Sequence, residues 1–171
     1  MSVVGFARWL THLELAKDFA GSSVVYPAVL ATHMACIALF GGMILMTNLR
    51  LLGLAMTGFP VSEVVGRLRI AKRIGLVVMV SCGLLLAGSE ATRYYPNPYF
   101  WTKLTLLGLL VIHSLVFRRT VYQNLAALDR AAVLPFPVKL AAASSLILWL
   151  GVAVVGRMIG YYQTPPSSIV H

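Results

Sequence analysis

Residues 24–48 read VVYPAVLATHMACIALFGGMILMTN, and this stretch decides the fold. It contains no aspartate, glutamate, lysine or arginine. A helix needs about 20 mainly apolar residues to cross the hydrocarbon core of a bilayer. The stretch therefore predicts a membrane-spanning helix. The chain enters it through Tyr26 and Pro27, where proline is tolerated because the first turn of a helix does not need its N–H group.

Three further apolar stretches of spanning length follow, at residues 74–95, 100–117 and 138–162. The whole chain has the same character, since 59% of its 171 residues are apolar and 11% are charged. Soluble domains carry about a quarter charged residues. The sequence therefore predicts an all-α, polytopic membrane protein in which residues 23–162 form a four-transmembrane-helix bundle.

The segments outside the spans are short. In residues 1–22, Phe6, Trp9, Leu10 and Leu13 recur at helical spacing with polar residues between them. This pattern predicts an N-terminal amphipathic helix that lies in the membrane interface. Residues 62–73 and 120–132 predict two short helices on the opposite face of the membrane. Residues 163–171 form a tail on the same side as the N-terminus.

Basic residues concentrate in the loop between the first and second spans and in the loop between the third and fourth. They are Arg50, Arg67, Arg69, Lys72, Arg73, Arg118, Arg119, Arg130 and Lys139. Cytoplasmic loops carry an excess of lysine and arginine. We therefore expect a multi-pass protein of the bacterial inner (cytoplasmic) membrane with both termini on the periplasmic side.

Aromatic residues gather at the other membrane surface, as in the aromatic belts of membrane proteins. They are Tyr26, Tyr94, Tyr95, Tyr99, Phe100, Trp101, Tyr161 and Tyr162. The net charge of +9 does not indicate nucleic acid binding, because the basic residues lie at the ends of apolar runs and form no face interleaved with aromatics. Cys36 and Cys82 lie inside apolar runs, and the absence of a CxxCH motif excludes covalent c-type haem.

His33 is the first candidate for a functional residue, since ionisable or metal-binding groups inside spans are costly to bury. It lies about 10 Å below the periplasmic surface by helical rise. Arg93, Lys103 and Arg157 lie just above it, together with Glu90. This set fits a b-type haem, with His33 as an axial ligand to the metal and the basic residues paired with the propionates.

Small residues at the depth of His33 admit two interpretations. They are Ala87, Gly88, Gly108, Ala153 and Gly156. They leave room for a flat ligand, or they allow the helices to pack closely, as small residues do between membrane helices.

The second axial ligand stays open. His12 would reach the site if its interfacial helix folds over the mouth of the bundle, and a five-coordinate site or a Met158 ligand are the other options. His113 lies about 15–20 Å away in depth by helical rise and cannot share an iron with His33.

His113 admits two interpretations. It either binds a second cofactor near the cytoplasmic side or is a core histidine that hydrogen-bonds to Asn48 or Ser114. Met43 and Met46 at similar depth add a copper hypothesis, because thioethers and imidazole suit Cu(I).

Several motifs resemble a family of four-helix bacterial inner-membrane proteins of uncharacterised function. They are Tyr26-Pro27 through His33, Gly41-Gly42, Asn48 through Gly53, Gly83 through Leu86, Ala91 through Tyr95, Asn97 through Phe100, Lys103, and Val116 through Val121. The arrangement is similar, more loosely, to small cytochrome b-like and copper-resistance membrane proteins. That looser resemblance implies histidines that bind haem or metal.

Two functions are expected from these features. The first is a membrane-embedded b-type cytochrome-like electron-transfer subunit that passes electrons between quinol and a partner on the periplasmic side. The second is a cofactor-free accessory or scaffold subunit of a larger membrane complex. Both place the chain in the lipid bilayer beside other membrane subunits.

Overall fold

The computed structural model describes Gly5, Trp9 and residues 11–123, 125–131 and 133–162, with the backbone alone for Leu15, Thr120 and Tyr122. Regular structure in this part of the chain is entirely helical. The helices are α1 (Glu14–Gly21), α2 (Val25–Leu52), α3 (Val61–Ser89), α4 (Ala91–Tyr94), α5 (Pro98–Val116), α6 (Arg118–Tyr122), α7 (Leu125–Arg130) and α8 (Phe136–Ile159).

Four of these helices, α2, α3, α5 and α8, are long and apolar enough to cross a membrane. The predicted all-α bundle of four spans is therefore confirmed, and the chain is a multi-pass membrane protein. Three spans begin and end within four residues of the predicted bounds.

The second span differs from its predicted bounds of 74–95. It runs from Val61 to Ser89 as one helix of 29 residues and includes the segment 62–73 that was expected to form a separate helix. Arg67, Arg69, Lys72 and Arg73 end the apolar run in the sequence, but charged side chains do not interrupt helical hydrogen bonding. Near the other end, the backbone leaves the helix at Glu90 (φ −120°).

The shorter helices also differ from expectation. Residues 120–132 were predicted as one helix, and the structure has α6 and α7 in this region. Of the predicted interfacial helix 1–22, α1 is described and packs against α2 and α3. Phe6, Arg8, Leu10 and the tail 163–171 lie outside the described residues.

Gly53 ends α2 in the left-handed backbone conformation, with φ 77°. Its N–H donates to the carbonyls of Leu49 and Arg50, and the N–H of Leu54 donates to Leu49 (3.0 Å). These bonds satisfy carbonyls that the end of a helix otherwise leaves free. The chain can therefore reverse sharply into the loop before α3.

The spans pack in the order α3, α2, α8, α5, so that α2 and α8 each have a spanning neighbour on both sides. We call the end of the bundle where α2 and α5 finish and α3 and α8 begin the basic end. The buried hydrophobic core lies there and consists of Leu51, Val61, Val65, Val121, Leu128, Val138, Ala141 and Ala142. Long stretches of the spans elsewhere expose leucine, isoleucine and valine side chains, as lipid contact requires.

The opposite end, which we call the aromatic end, carries the predicted belt. Six of the eight aromatic residues pair with one another there: Tyr94–Phe100 at 5.6 Å, Tyr95–Trp101 at 6.1 Å and Tyr99–Tyr162 at 6.1 Å between centroids. The first two contacts join the turn after α3 to the start of α5, and the third joins α5 to the residues that follow α8.

Candidate functional site

His33 lies on the inner side of α2, partly buried against α3. Its ring nitrogen Nδ1 is 2.9 Å from the backbone carbonyl oxygen of Met79. Gly83, one turn further along α3, makes this approach possible, because a Cβ at that position would lie 3.1 Å from Cε1 of the imidazole. The sequence-predicted candidate residue is thus held between two spans.

The bond to Met79 fixes the protonation pattern of the neutral ring. A carbonyl oxygen only accepts hydrogen bonds, so Nδ1 must carry the proton and donate it. Nε2 of His33 then keeps its lone pair. Among the described residues this nitrogen has no hydrogen-bond partner, and it is not fully enclosed by protein atoms.

Lys103 brings a positive charge to the same level of the bundle. From the second turn of α5, its side chain crosses α8 at Gly156, where a Cβ would lie 3.6 Å from Nζ. The ammonium is close enough to interact electrostatically with His33. Within the part of the chain that the structure describes, it forms no ion pair. An ammonium without an ion-pair partner inside a span is costly, which keeps Lys103 as a candidate functional residue.

Arg93 and Arg157, which were predicted to sit above His33, are engaged with near neighbours at the membrane surface. Nη1 of Arg93 is 3.0 Å from Oε2 of Glu90. Nη2 of Arg157 donates to the hydroxyl of Tyr161 (2.8 Å), and the guanidinium lies 4.9 Å from the centre of that ring. Both arginines are exposed. Of the predicted basic set, the structure brings Lys103 alone to the imidazole.

Tyr94 lies beside the Glu90–Arg93 pair at the aromatic end. Burial, with a smaller contribution from the Glu90 carboxylate, raises the pKa of Tyr94 well above its usual range. Its hydroxyl therefore stays protonated at physiological pH and can act as a hydrogen-bond donor. This shift reflects local packing and does not reach His33.

The small residues predicted around His33 do not form one cavity. Gly156 accommodates the side chain of Lys103, and Gly83 accommodates His33. Ala153 and Gly108 are exposed on outward-facing surfaces, and no neighbouring atom lies within 4 Å of where a Cβ would be at Gly88 or Gly108. Polar side chains therefore cover Gly83 and Gly156, whereas Gly88 and Gly108 have open space beside them.

His113 belongs to a separate polar layer near the basic end. Its Nε2 is 2.8 Å from Oγ of Ser144 on α8, rather than bonded to Asn48 or Ser114 as one expectation had it. The Ser144 hydroxyl donates to the carbonyl of Leu140 (2.7 Å), so the imidazole must be the donor in the first bond. Asn48 instead donates to Ser145 (3.2 Å). Such bonds join membrane helices to one another.

A second polar link in this layer joins α2 and α3. Nζ of Lys72 donates to Oγ1 of Thr47 (3.0 Å), and the Thr47 hydroxyl donates to the Met43 carbonyl (2.8 Å). Sequence reasoning assigned Lys72 to a loop. The signal that could have found these links is the pairing of polar residues inside apolar runs, such as Ser144-Ser145 and Thr47-Asn48.

The remaining candidate ligands for a haem or a metal ion do not lie together. His12 is exposed near the start of the described chain, and Met158 is 39% exposed on α8. Met43 packs against Gly75 of α3 and Met46 points outward, whereas His113 faces α8. In the described residues, no three histidine, cysteine, aspartate or glutamate side chains come together as a metal site.

The sequence matches the model of a family of unknown function (DUF6644) over residues 12–162. The chain belongs to this family. The match covers all four spans and all six predicted site residues, and it begins at His12. Searches of curated proteins and of solved structures each find no match.

Proposed function

We propose that this chain is a membrane-embedded electron-transfer subunit that binds one b-type haem beside His33, in the half of the bundle nearer the aromatic end. The observation that carries the proposal is the state of His33. A histidine that ligates a metal through one nitrogen usually donates its other N–H to a carbonyl or carboxylate, which sets the tautomer and the ring orientation. The bond from Nδ1 to Met79 provides this arrangement.

Lys103 is the second supporting feature. Its ammonium, which forms no ion pair among the described residues, would supply a counter-charge for a propionate, the anionic group that a haem brings to a protein. The proposal assigns no role to Arg93 and Arg157, whose guanidinium groups are engaged with Glu90 and Tyr161. We assign no second ligand to the iron, because His12 is exposed near the start of the described chain.

The likeness to small cytochrome b-like membrane proteins belongs to the same proposal, and quinol is the proposed electron donor. The copper-resistance likeness is not used, because Met43, Met46 and His113 face different neighbours. A cofactor-free scaffold subunit is the second candidate. The close fit of His33 against Gly83 favours it, since the imidazole already fills the space between α2 and α3.

Haem content of purified variants separates these two functions. We expect His33→Ala to lose at least nine-tenths of the haem that the wild-type protein binds, measured as the pyridine haemochrome. His113→Ala is the matched control and should keep it, because His113 hydrogen-bonds to Ser144 in the other half of the bundle. Equal haem in wild type and His33→Ala would refute the assignment of the ligand.

Lys103→Met refines the same experiment. Removing a cation near the haem should lower its midpoint potential, because the positive charge favours the state with the extra electron. We expect haem to be retained and the potential to fall. Each variant is compared only if it elutes as a single peak in size-exclusion chromatography.

The orientation in the membrane is also a proposal. The concentration of arginine and lysine at the basic end supports an orientation with that end in the cytoplasm of a bacterium and both termini in the periplasm. In a background without Cys36 and Cys82, Ser23→Cys should react with an impermeant maleimide in intact cells. Gly58→Cys, in the loop before α3, should react only after permeabilisation. The reverse pattern would invert the topology.

A further inference from the structure

A cavity of about 410 Å³ opens at the basic end, far from His33. Its walls come from the loop after α2, from α7, from the segment before α8 and from the first turn of α8. Arg50, Thr57, Asp129 and Lys139 contribute the polar part of its lining, and Val133 and Leu134 contribute to the apolar part. We propose that this cavity binds the headgroup of an anionic phospholipid.

Arg50 is held in position for such a role. Its Nε donates to the carbonyl of Phe59 (2.8 Å), which anchors the guanidinium across the loop. In the described part of the chain, no ion pair or hydrogen bond occupies its two terminal nitrogens. A guanidinium in this state presents two parallel donors, the arrangement that binds phosphate oxygens best.

Lys139 provides the second cation. It is partly buried in the first turn of α8, and its ammonium has no partner among the residues that the structure describes. Two positive groups that line one cavity can share a single phosphate diester.

Asp129 offsets only part of this charge, and it interacts electrostatically with Arg50. Its Oδ1 accepts the backbone N–H of Ser62 (3.1 Å). Hydrogen bonding to the Ser62 side chain, with a smaller contribution from the backbone N–H, lowers the pKa of the Asp129 carboxyl. The hydrogen bond between Asp129 and Ser62 joins α7 to the start of α3. Two cations and one carboxylate line the cavity, so its net charge is positive. A positive cavity disfavours a headgroup that carries its own ammonium.

The apolar part of the lining favours a lipid over a free phosphate compound. Val133 lines the cavity while 73% exposed, and Phe136, three residues on, is 75% exposed. These side chains lie beside the cations at the end of the spans, where a phospholipid places the start of its acyl chains. Basic pockets between membrane helices recognise anionic headgroups in this way.

Native mass spectrometry of the full chain in detergent tests the proposal. Phosphatidylglycerol and phosphatidylcholine with identical acyl chains are titrated against wild type, Lys139→Gln and Arg69→Gln. We expect one preferentially bound phosphatidylglycerol and an affinity lower by about fivefold in Lys139→Gln, from about 1 kcal/mol per basic residue near anionic lipid. Arg69→Gln removes one exposed charge from the same end and should leave the affinity unchanged.

Three results would overturn the proposal. They are equal retention of the two lipids by the wild type, equal losses in Lys139→Gln and Arg69→Gln, and glycerol 3-phosphate displacing phosphatidylglycerol at equal concentration. The comparison of phosphatidylglycerol with phosphatidylcholine uses the wild-type protein alone, so it holds even if Lys139→Gln fails to fold. Lys139→Arg keeps the positive charge and should retain the wild-type affinity for phosphatidylglycerol. None of these measurements depends on haem.

Discussion

Replacing Gly41 by leucine is expected to destabilise the bundle by about 3 kcal/mol, at the upper end of the cost of overpacking a well-filled interior. Gly41 lies where α2 meets α8. A Cβ there would be 2.6 Å from Nε1 of Trp149 and 3.2 Å from its Cε2. The indole cannot retreat easily, because its ring packs edge-to-face against Phe40 with centroids 5.3 Å apart.

Gly42 provides the matched control. It is the next residue of the same helix, it is exposed, and no atom lies within 4 Å of where its Cβ would be. Both substitutions gain the same helix propensity, about 1 kcal/mol for replacing glycine, so their difference isolates the contact with Trp149. Heating in detergent followed by size-exclusion chromatography should give a midpoint lower by about 6–12 °C for Gly41→Leu.

Gly42→Leu should raise the midpoint by about 2–4 °C, because it gains helix propensity and meets no neighbouring atom. Trp149→Ala in the Gly41→Leu background should recover part of the loss, since it removes the atoms that the new side chain meets. Equal midpoints for Gly41→Leu and Gly42→Leu would show that α2 and α8 do not approach each other at this residue.

Asn97→Ala is expected to cost about 2–4 kcal/mol, from the loss of a helix cap (about 1 kcal/mol) and of the partner of a partly buried carbonyl (about 1–3 kcal/mol). Asn97 is 2% exposed. Its Oδ1 accepts the N–H of Tyr99 (3.0 Å) and caps α5, while its Nδ2 donates to the carbonyl of Ile159 at the end of α8 (3.2 Å). One side chain thus joins two spans at the aromatic end.

Asn97→Ser separates the two contributions. Serine keeps a capping oxygen for the first turn of α5 but cannot reach across to Ile159. We expect its midpoint to lie between those of wild type and Asn97→Ala. If the serine and alanine variants are equally unstable, the cap contributes nothing. If serine matches wild type, the link to α8 contributes nothing.

The spans were predictable because membrane insertion depends on composition along a single helix, which the sequence shows directly. The length of α3 was not predictable in this way. Hydropathy falls at Arg73, but the helix continues back to Val61 because nothing between Pro60 and Glu90 breaks it. Hydropathy reports where lipid surrounds a helix, and the helix itself can extend into the headgroup region.

His33 could be chosen as a candidate from sequence because an imidazole inside a span has few structural reasons to be there. Its partner could not be chosen, since the Met79 carbonyl is a backbone atom whose position depends on how α2 and α3 pack. The local partners of Arg93 and Arg157 could have been predicted from the sequence. Glu90 and Tyr161 lie three and four residues away on the same stretch, the spacing at which side chains on a helix meet.

A reduced-minus-oxidised visible spectrum of the purified wild-type protein tests the central claim most directly. The account predicts a sharp b-type α band in protein that elutes as a single peak, at a stoichiometry near one haem per chain. A flat spectrum from folded protein, purified from cells that make haem and supplied with hemin, would contradict it. In that case His33 serves the packing of α2 against α3.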